Sequence, residues 1–303
     1  MLLVILTAAF NSGNKMIELD AYLNKIKHLI PAAAELDLEI IEGGYSNHAY
    51  LLSWEGRAQC VLRLPGLDEH TFQICRTAEK RALEQAAEQL LSPPCLYFDV
   101  VSGLMVSKYV PQAAFDWDVS HEDLNVIRLA KSLKHIHSLP TNNVAFCVNN
   151  TVSKYLECTS ANLALTDERQ QEVQWLTDIA TPYLRKILPY HAVMCHNDLN
   201  PKNCLADEMH FWVIDWEYAG EGDPLFDIAS VFASHNFTVE QKTLFFEYYP
   251  DDIPLVDLHA SLENYQTLYK IRELAWMLLK SATSNVEDDL SGYYRFKETT
   301  MLE

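Results

Sequence analysis

Three oxygen-bearing side chains, Asp198, Asn203 and Asp215, have the types and spacing to do chemistry together in this 303-residue chain. The first two lie five apart in His196-Asn197-Asp198-Leu199-Asn200-Pro201-Lys202-Asn203, and Asp215 follows twelve residues later in Trp212-Val213-Ile214-Asp215-Trp216-Glu217. A loop carboxylate can accept the proton of an attacking hydroxyl. An amide oxygen on the same loop and a carboxylate delivered by a strand can hold a metal that bridges the phosphates of a nucleotide. Such groups are costly to gather unless a cation or substrate compensates their desolvation and repulsion. The pattern therefore predicts magnesium-dependent phosphoryl transfer, with Asp198 as catalytic base and Asn203 and Asp215 as metal ligands. His196 is expected to brace the loop. Asp227 opens an apolar helical run (Ile228, Ala229, Val231, Phe232), so it reads as a helix N-cap or as a buried carboxylate bonding loop amides.

The spacing of Asp198 and Asn203 resembles the H-R-D-x-x-x-x-N loop of protein kinases, with Asn197 in place of the Arg. Ile214-Asp215-Trp216-Glu217 stands where those enzymes carry D-F-G. Together with Tyr218, Asp223-Pro224 and Phe226-Asp227-Ile228, these segments resemble the choline/ethanolamine kinase and thiamine kinase branch of the aminoglycoside phosphotransferase group. The likeness is sharp over residues 193–231 and recognisable over 41–111. It implies an α+β fold of the two-lobed protein kinase-like kind, with a small antiparallel-sheet N-lobe and a mainly helical C-lobe. Residues 1–110 would form the nucleotide-binding lobe and 111–303 the catalytic and substrate-binding lobe, with ATP and Mg2+ as cofactors.

The elements that must position these residues are partly legible from periodicity. An amphipathic helix is expected at 17–30, then three antiparallel strands at 38–42, 49–54 and 59–64. Between the first two lies Gly43-Gly44-Tyr45-Ser46-Asn47, where the glycines let the backbone approach phosphates and Ser46 and Asn47 add polar donors. The same residues would also serve a plain hairpin. Arg63 is a lone cation in an apolar strand and needs partners. By the resemblance it contacts the α/β-phosphates and a carboxylate on the next helix, expected at 69–91, with Glu79 preferred over Glu84. Strands at 95–100 and 103–110 end at Pro111, the lobe junction. Lys108, Tyr109 and Val110 then belong to a hinge whose backbone can bond a base edge. Beyond it, helices are expected at 121–138, 167–188, 224–235, 239–249, 255–281 and 286–302, with short strands at 192–195, 204–206 and 210–214.

Composition bounds the partners. A net charge of −19 repels nucleic acid and anionic lipid. Seven cysteines form no C-x-x-C pair, the usage of reduced thiols in a cytoplasmic protein rather than of a disulfide or zinc framework. The apolar start, residues 1–10, is too short to span a membrane, and Met16 is expected to be the natural start, with 1–15 a mis-called leader.

A cationic alcohol is the acceptor that the resemblance implies, choline before thiamine or ethanolamine. A quaternary ammonium is recognised by aromatic faces and carboxylates. Glu217, Trp276 and Tyr293 are the candidates, with Asp198 meeting the hydroxyl. The chain departs from some choline kinases in having one Trp on its late helix and Ser234-His235-Asn236 after the Phe226-Asp227-Ile228 segment. Trp216-Glu217-Tyr218-Ala219-Gly220-Glu221-Gly222-Asp223 is especially similar to thiamine kinase. Two other classes stay open at this point: a non-catalytic kinase-like binding protein, and a metal-dependent hydrolase using His196, Asp198 and Asp215. Oligomeric state is not legible.

Overall fold

The computed structural model describes residues 4–6, 13–162, 166–185, 191–249, 258–283, 289–300 and 302. Among them an antiparallel sheet lobe precedes a mainly helical lobe, the expected α+β arrangement. β1 (Val4–Leu6) and α1 (Gly13–Ile26) lead into β2 (Leu36–Ile41), β3 (Asn47–Trp54) and β4 (Arg57–Pro65). α2 (Arg76–Glu88) follows, then β5 (Cys95–Asp99) and β6 (Leu104–Lys108). The sheet order is β1-β2-β3-β4-β6-β5, antiparallel except for β1, which pairs in parallel with β2. Of the expected leader, residues 4–6 are β1 and 13–15 begin α1, while 1–3 and 7–12 lie outside the described residues.

The helical lobe begins after a short β7 (Ala113–Ala114) and runs through α3 (Asp123–His137), α4 (Val148–Ser160) and α5 (Asp167–Leu184). β8 (Val193–Cys195), β9 (Cys204–Ala206), β10 (Phe211–Val213) and β11 (Gly220–Gly222) carry the polar loops between them. α6 (Pro224–Ser234), α7 (Val239–Tyr248), α8 (Leu258–Thr283) and α9 (Asp289–Thr300) complete the chain. The expected helical residues 186–188, 255–257 and 286–288 lie outside the described residues.

Three expectations are corrected. The helix expected from residue 69 begins at Arg76, because Asp68 accepts the Thr71 amide in a local turn and Gln73 adopts a positive φ of 58°. α4 was not expected at all. Its buried residues Val148, Val152, Tyr155, Leu156 and Thr159 recur at helical spacing, but two asparagines and several β-branched residues blur that signal. β11 lies where no strand is expected, and it pairs antiparallel with β8, with Gly220 opposite Cys195. A Cβ on Gly220 would approach the Val144 carbonyl to 2.7 Å, so the close passage of residues 144–146 requires glycine there.

Two apolar cores result. The smaller joins α1 to one face of the sheet through Leu19, Leu23, Ile26, Leu52 and Leu62. The larger fills the helical lobe and takes in Phe72, Ile74, Ala82 and Leu83 from the segment between β4 and β5. Phe72, 1% exposed, packs its ring 6.0 Å from both Tyr155 and Trp276, so this segment anchors the first lobe in the second.

A buried histidine pair ties α6 to the polar loop. His235 Nε2 lies 3.3 Å from the Leu199 carbonyl, which makes it the donor and leaves Nδ1 to accept from His121 Nε2 at 2.8 Å. Burial pushes His121 down to about 4 and His235 down to about 3, the latter also opposed by its neighbour. Both rings are neutral in the folded protein at pH 7, whereas the unfolded chain protonates them near pH 6.5. The unfolded state therefore binds more protons below that point, and stability is lost as pH falls from about 6.5 towards 3. Urea unfolding at pH 7.5 and 4.5 should show a loss on the order of a few kcal/mol that is clearly smaller in a His121→Phe/His235→Gln variant. Parallel pH dependences for the two proteins would refute the assignment.

Candidate active site

The loop that follows β8 turns sharply because Asn197 adopts a φ of 63°, a left-handed geometry that asparagine tolerates better than most side chains. Asp227, fully buried in the first turn of α6, holds this turn from below. Its Oδ2 accepts the His196 amide at 2.7 Å and its Oδ1 the Asn197 amide at 2.6 Å, while His137 Nε2 lies 3.1 Å from Oδ2. It thus bonds loop amides, and the N-cap of α6 is Asp223, which accepts from the Leu225 amide. His196 is buried and neutral, its proton affinity lowered chiefly by burial. Its Nε2 donates to the Ile214 carbonyl at 3.1 Å and its Nδ1 accepts the Asp198 amide at 3.3 Å. The ring, packed on Trp216, therefore braces the two segments against one another.

The two strips meet at their backbones. The Ile214 amide donates to the Asn203 carbonyl at 2.9 Å, which puts Asp215 beside the Asn203 end of the loop. Asn203 Nδ2 donates to the Asp198 carbonyl at 2.8 Å and to Asp198 Oδ2 at 3.2 Å. Asp215 has a φ of 65°, a conformation that costs a non-glycine residue free energy and is found where surrounding contacts over-determine it. Burial, followed by the neighbouring Glu217, raises the Asp215 carboxyl well above the usual carboxylate range, with Arg63 opposing. Asn203 Oδ1 and Asp215 Oδ2 have no hydrogen-bond partner among the described residues. Both are hard oxygens of the kind magnesium takes, so the donor set fits that ion.

Three buried arginines neutralise the surrounding acids. Arg63 on β4 ion-pairs with Glu79 of α2 and reaches Asp215 Oδ1 at 3.3 Å. Glu84, the alternative to Glu79, faces solvent beside Lys80. Arg76 donates to Glu69 at 2.9 Å and to Glu79 at 2.7 Å, and its Nη1 lies 3.4 Å from Glu217 Oε2. Arg272 on α8 donates from Nη1 to the Asn197 carbonyl at 2.9 Å and to Asp198 Oδ1 at 3.2 Å, with its guanidinium 4.9 Å from the Tyr218 ring centroid. Sequence reasoning named neither Arg76 nor Arg272. The signal available was the same one that singled out Arg63, a cation among apolar neighbours, here on helical faces.

The other candidates are less gathered. Gly44 needs to be glycine, since a Cβ would approach the Asn47 carbonyl to 2.5 Å. Ser46 immediately precedes β3, its carbonyl accepting the Gly66 amide at 3.0 Å. Asn47 donates to Glu217 Oε2 at 3.0 Å, so its amide links the turn to the segment after Asp215. At the junction the Lys108 and Tyr109 amides bond to Pro94 and Gln59, leaving Val110 with an amide that has no partner among the described residues. Trp276 is 8% exposed and donates to the Tyr218 hydroxyl at 3.1 Å, supporting that ring. Tyr293 does not form part of a cage. It is fully buried, and its hydroxyl donates to Glu172 of α5 at 2.6 Å, because the apolar face of α9 packs into a helical seam.

Residues 37–258 match the model of the phosphotransferase enzyme family. Protein LicA of Haemophilus influenzae is 44% identical over 55 residues, which is 18% of this chain and 21% of that protein, so the chain matches about a fifth of that relative's length. The structure of choline kinase LicA from Streptococcus pneumoniae is similar with a TM-score of 0.68 at 21% identity, covering 94% of this chain and 98% of that one. The ethanolamine kinase of Plasmodium vivax gives a TM-score of 0.72 at 17% identity, covering 98% and 91%. These likenesses share the two-lobed kinase-like fold.

Removing the buried acceptor at residue 227 should uncouple the loop. Asp227→Ala is expected to destabilise the protein by on the order of 3 kcal/mol, because two buried amides lose their partner. Chemical denaturation checks this, and a loss below about 1 kcal/mol would show that the loop is held by other contacts.

Proposed function

The chain belongs to the phosphotransferase enzyme family, and we propose that it is an ATP- and magnesium-dependent kinase of a small cationic alcohol, most specifically choline. The observation that carries this reading is the meeting of Asp198, Asn203 and Asp215 across the bond from the Ile214 amide to the Asn203 carbonyl. In this reading Asp198 orients the acceptor hydroxyl and takes its proton as the oxygen attacks the γ-phosphorus. The bond to the bridging oxygen of ADP breaks in the same displacement. Asn203 and Asp215 would hold magnesium, which when bound supplies neutralisation of the phosphate charge. Arg63, kept in place by Glu79, contacts the phosphates, the turn at Gly44 to Asn47 covers them, and the Val110 amide is available to the base.

Arg272 contributes a fixed positive charge beside Asp198. It holds the carboxylate in one orientation, so the base is aimed before the acceptor arrives. Thiamine is the second reading, supported by the 216–223 segment, and ethanolamine follows. All present a hydroxyl near a positive centre. Among the described residues no helix is long and apolar enough to cross a membrane.

Release of ADP with choline, thiamine, ethanolamine and an aminoglycoside tests the reading directly. Turnover with a cationic alcohol is expected, and turnover with none of them would overturn it. Asp198→Asn should lower kcat by roughly a thousandfold while leaving nucleotide affinity nearly intact. Wild-type turnover in that variant would remove Asp198 from the mechanism. Asp215→Ala should raise the magnesium concentration needed for half-maximal rate, and an unchanged magnesium curve would remove Asp215 as a ligand.

A further inference from the structure

Two of the seven cysteines, Cys75 and Cys147, line one cavity of about 380 Å³. Both are free and half-buried, and each is the N-cap residue of a helix, Cys75 before α2 and Cys147 before α4. We propose that they form a reversible redox pair, in which a peroxide joins the two sulfurs in a disulfide that staples the start of α2 to the start of α4. The chemical event stands apart from the kinase reading, and only its effect on turnover rests on that reading.

Contacts along α4 bring the pair together. The Tyr155 hydroxyl donates to the Phe72 carbonyl at 3.2 Å, and the Thr151 hydroxyl donates to Gln73 Oε1 at 3.2 Å. Tyr155, Thr151 and Cys147 follow one another at one-turn spacing on one helix face, and the Thr151 amide donates to the Cys147 carbonyl at 3.0 Å. Residues 72 and 73 therefore descend α4 from Tyr155 towards Cys147. Two further residues of extended chain cover about 7 Å, close to the ~6 Å of the next helical turn. Cys75 has an extended backbone, with φ −113° and ψ 96°. Ile74 is buried in the larger core, while Gln73 and Cys75 on either side of it line the cavity, so Cys75 shares the side on which Gln73 meets α4.

Other thiols are poor partners. Burial pushes Cys60 and Cys95 up to about 11 and raises Cys195 and Cys204 well above the usual thiol range, so little thiolate is present there to attack an oxidant. Cys158 lies eleven residues along α4 from Cys147, about 16 Å, and outside the cavity lining. Where thiols are kept reduced, the disulfides that do form are transient and redox-sensing. One thiolate attacks hydrogen peroxide to give a sulfenic acid, and the departing hydroxide takes up the thiol proton and leaves as water. The second thiol then displaces the sulfenic hydroxyl as a second water, forming the S–S bond. Cys75 directly precedes Arg76, which donates to Glu79, and Glu79 pairs with Arg63. A staple at residue 75 thus acts on the end of α2 that positions the arginine assigned to the phosphates.

Tryptic mapping tests the pair, because residues 64–76 and 135–154 form two peptides with one cysteine each. After hydrogen peroxide treatment of the full chain, the expected product is these two peptides joined, two hydrogens lighter than their sum, and separated again by dithiothreitol. Serine is a good helix N-cap, so Cys75→Ser and Cys147→Ser leave both helices capped, and a circular dichroism spectrum matching the wild type reports that they fold. In either variant the joined peptide should be absent and the surviving cysteine should proceed to sulfinic acid. Turnover of the oxidised wild-type protein should fall by about fivefold and return on reduction, while Cys75→Ser stays within about twofold under the same treatment. Sulfinic acid at both positions in the wild type, either cysteine joined to Cys158, or two unmodified thiols would overturn the pair. A joined peptide with unchanged turnover would overturn its action on α2. If the wild-type protein turns over none of the cationic alcohols, the kinase reading fails and the mapping alone decides the pair.

Discussion

Compensation of buried charge is the constraint on which the rest of the molecule depends. Asp198, Asp215, Glu79 and Glu217 converge near the junction of the lobes, and Arg63, Arg76 and Arg272 answer them from β4, α2 and α8. Carboxylates at such short range cannot all stay charged in a poorly solvated site without cations. The raised proton affinities of Asp215 and Glu217, caused first by burial, show that the arginines compensate only part of that cost.

Holding this arrangement requires backbone geometry that isolated peptides avoid. Asn197 and Asp215 both sit at positive φ, and each is pinned by contacts made from a distant part of the chain. Asp227 fixes the first turn through two amides, and His196 bridges the loop to Ile214. Behind them the His121–His235 pair holds the Leu199 carbonyl, so burial extends the support through two further layers of side chains. Local strain at the site is thus balanced by packing in α6 and the segments around it.

The lobes are also joined outside the charged cluster. The segment between β4 and α2 buries Phe72 against Tyr155 and Trp276, and Tyr155 donates to the Phe72 carbonyl at 3.2 Å. This puts α2, the carrier of Arg76 and Glu79, in register with α4 and α8. The same aromatic group supports Tyr218, whose ring centroid lies 4.9 Å from the Arg272 guanidinium. Arg76, Glu79 and the Tyr218 ring are therefore held by one packed unit.

By itself the sequence determined three antiparallel strands between residues 38 and 64 and the polar loop, because period-two patterns and the Asp198, Asn203 and Asp215 spacing are local properties of the chain, while the lobe order came from its resemblance to a known family. It also implied that Arg63 must be paired, since an apolar strand cannot carry a lone cation. Tertiary structure decided what depends on contacts between remote segments: that Arg76 and Arg272 join the charged cluster, that Asn47 faces Glu217, and that Tyr293 closes a helical seam. An aromatic on an apolar helix has the same local signature whether it lines a cavity or a core. The late start of α2 and the presence of α4 followed the same rule, because turn hydrogen bonds and tertiary packing outweighed the weak intrinsic preferences of those residues.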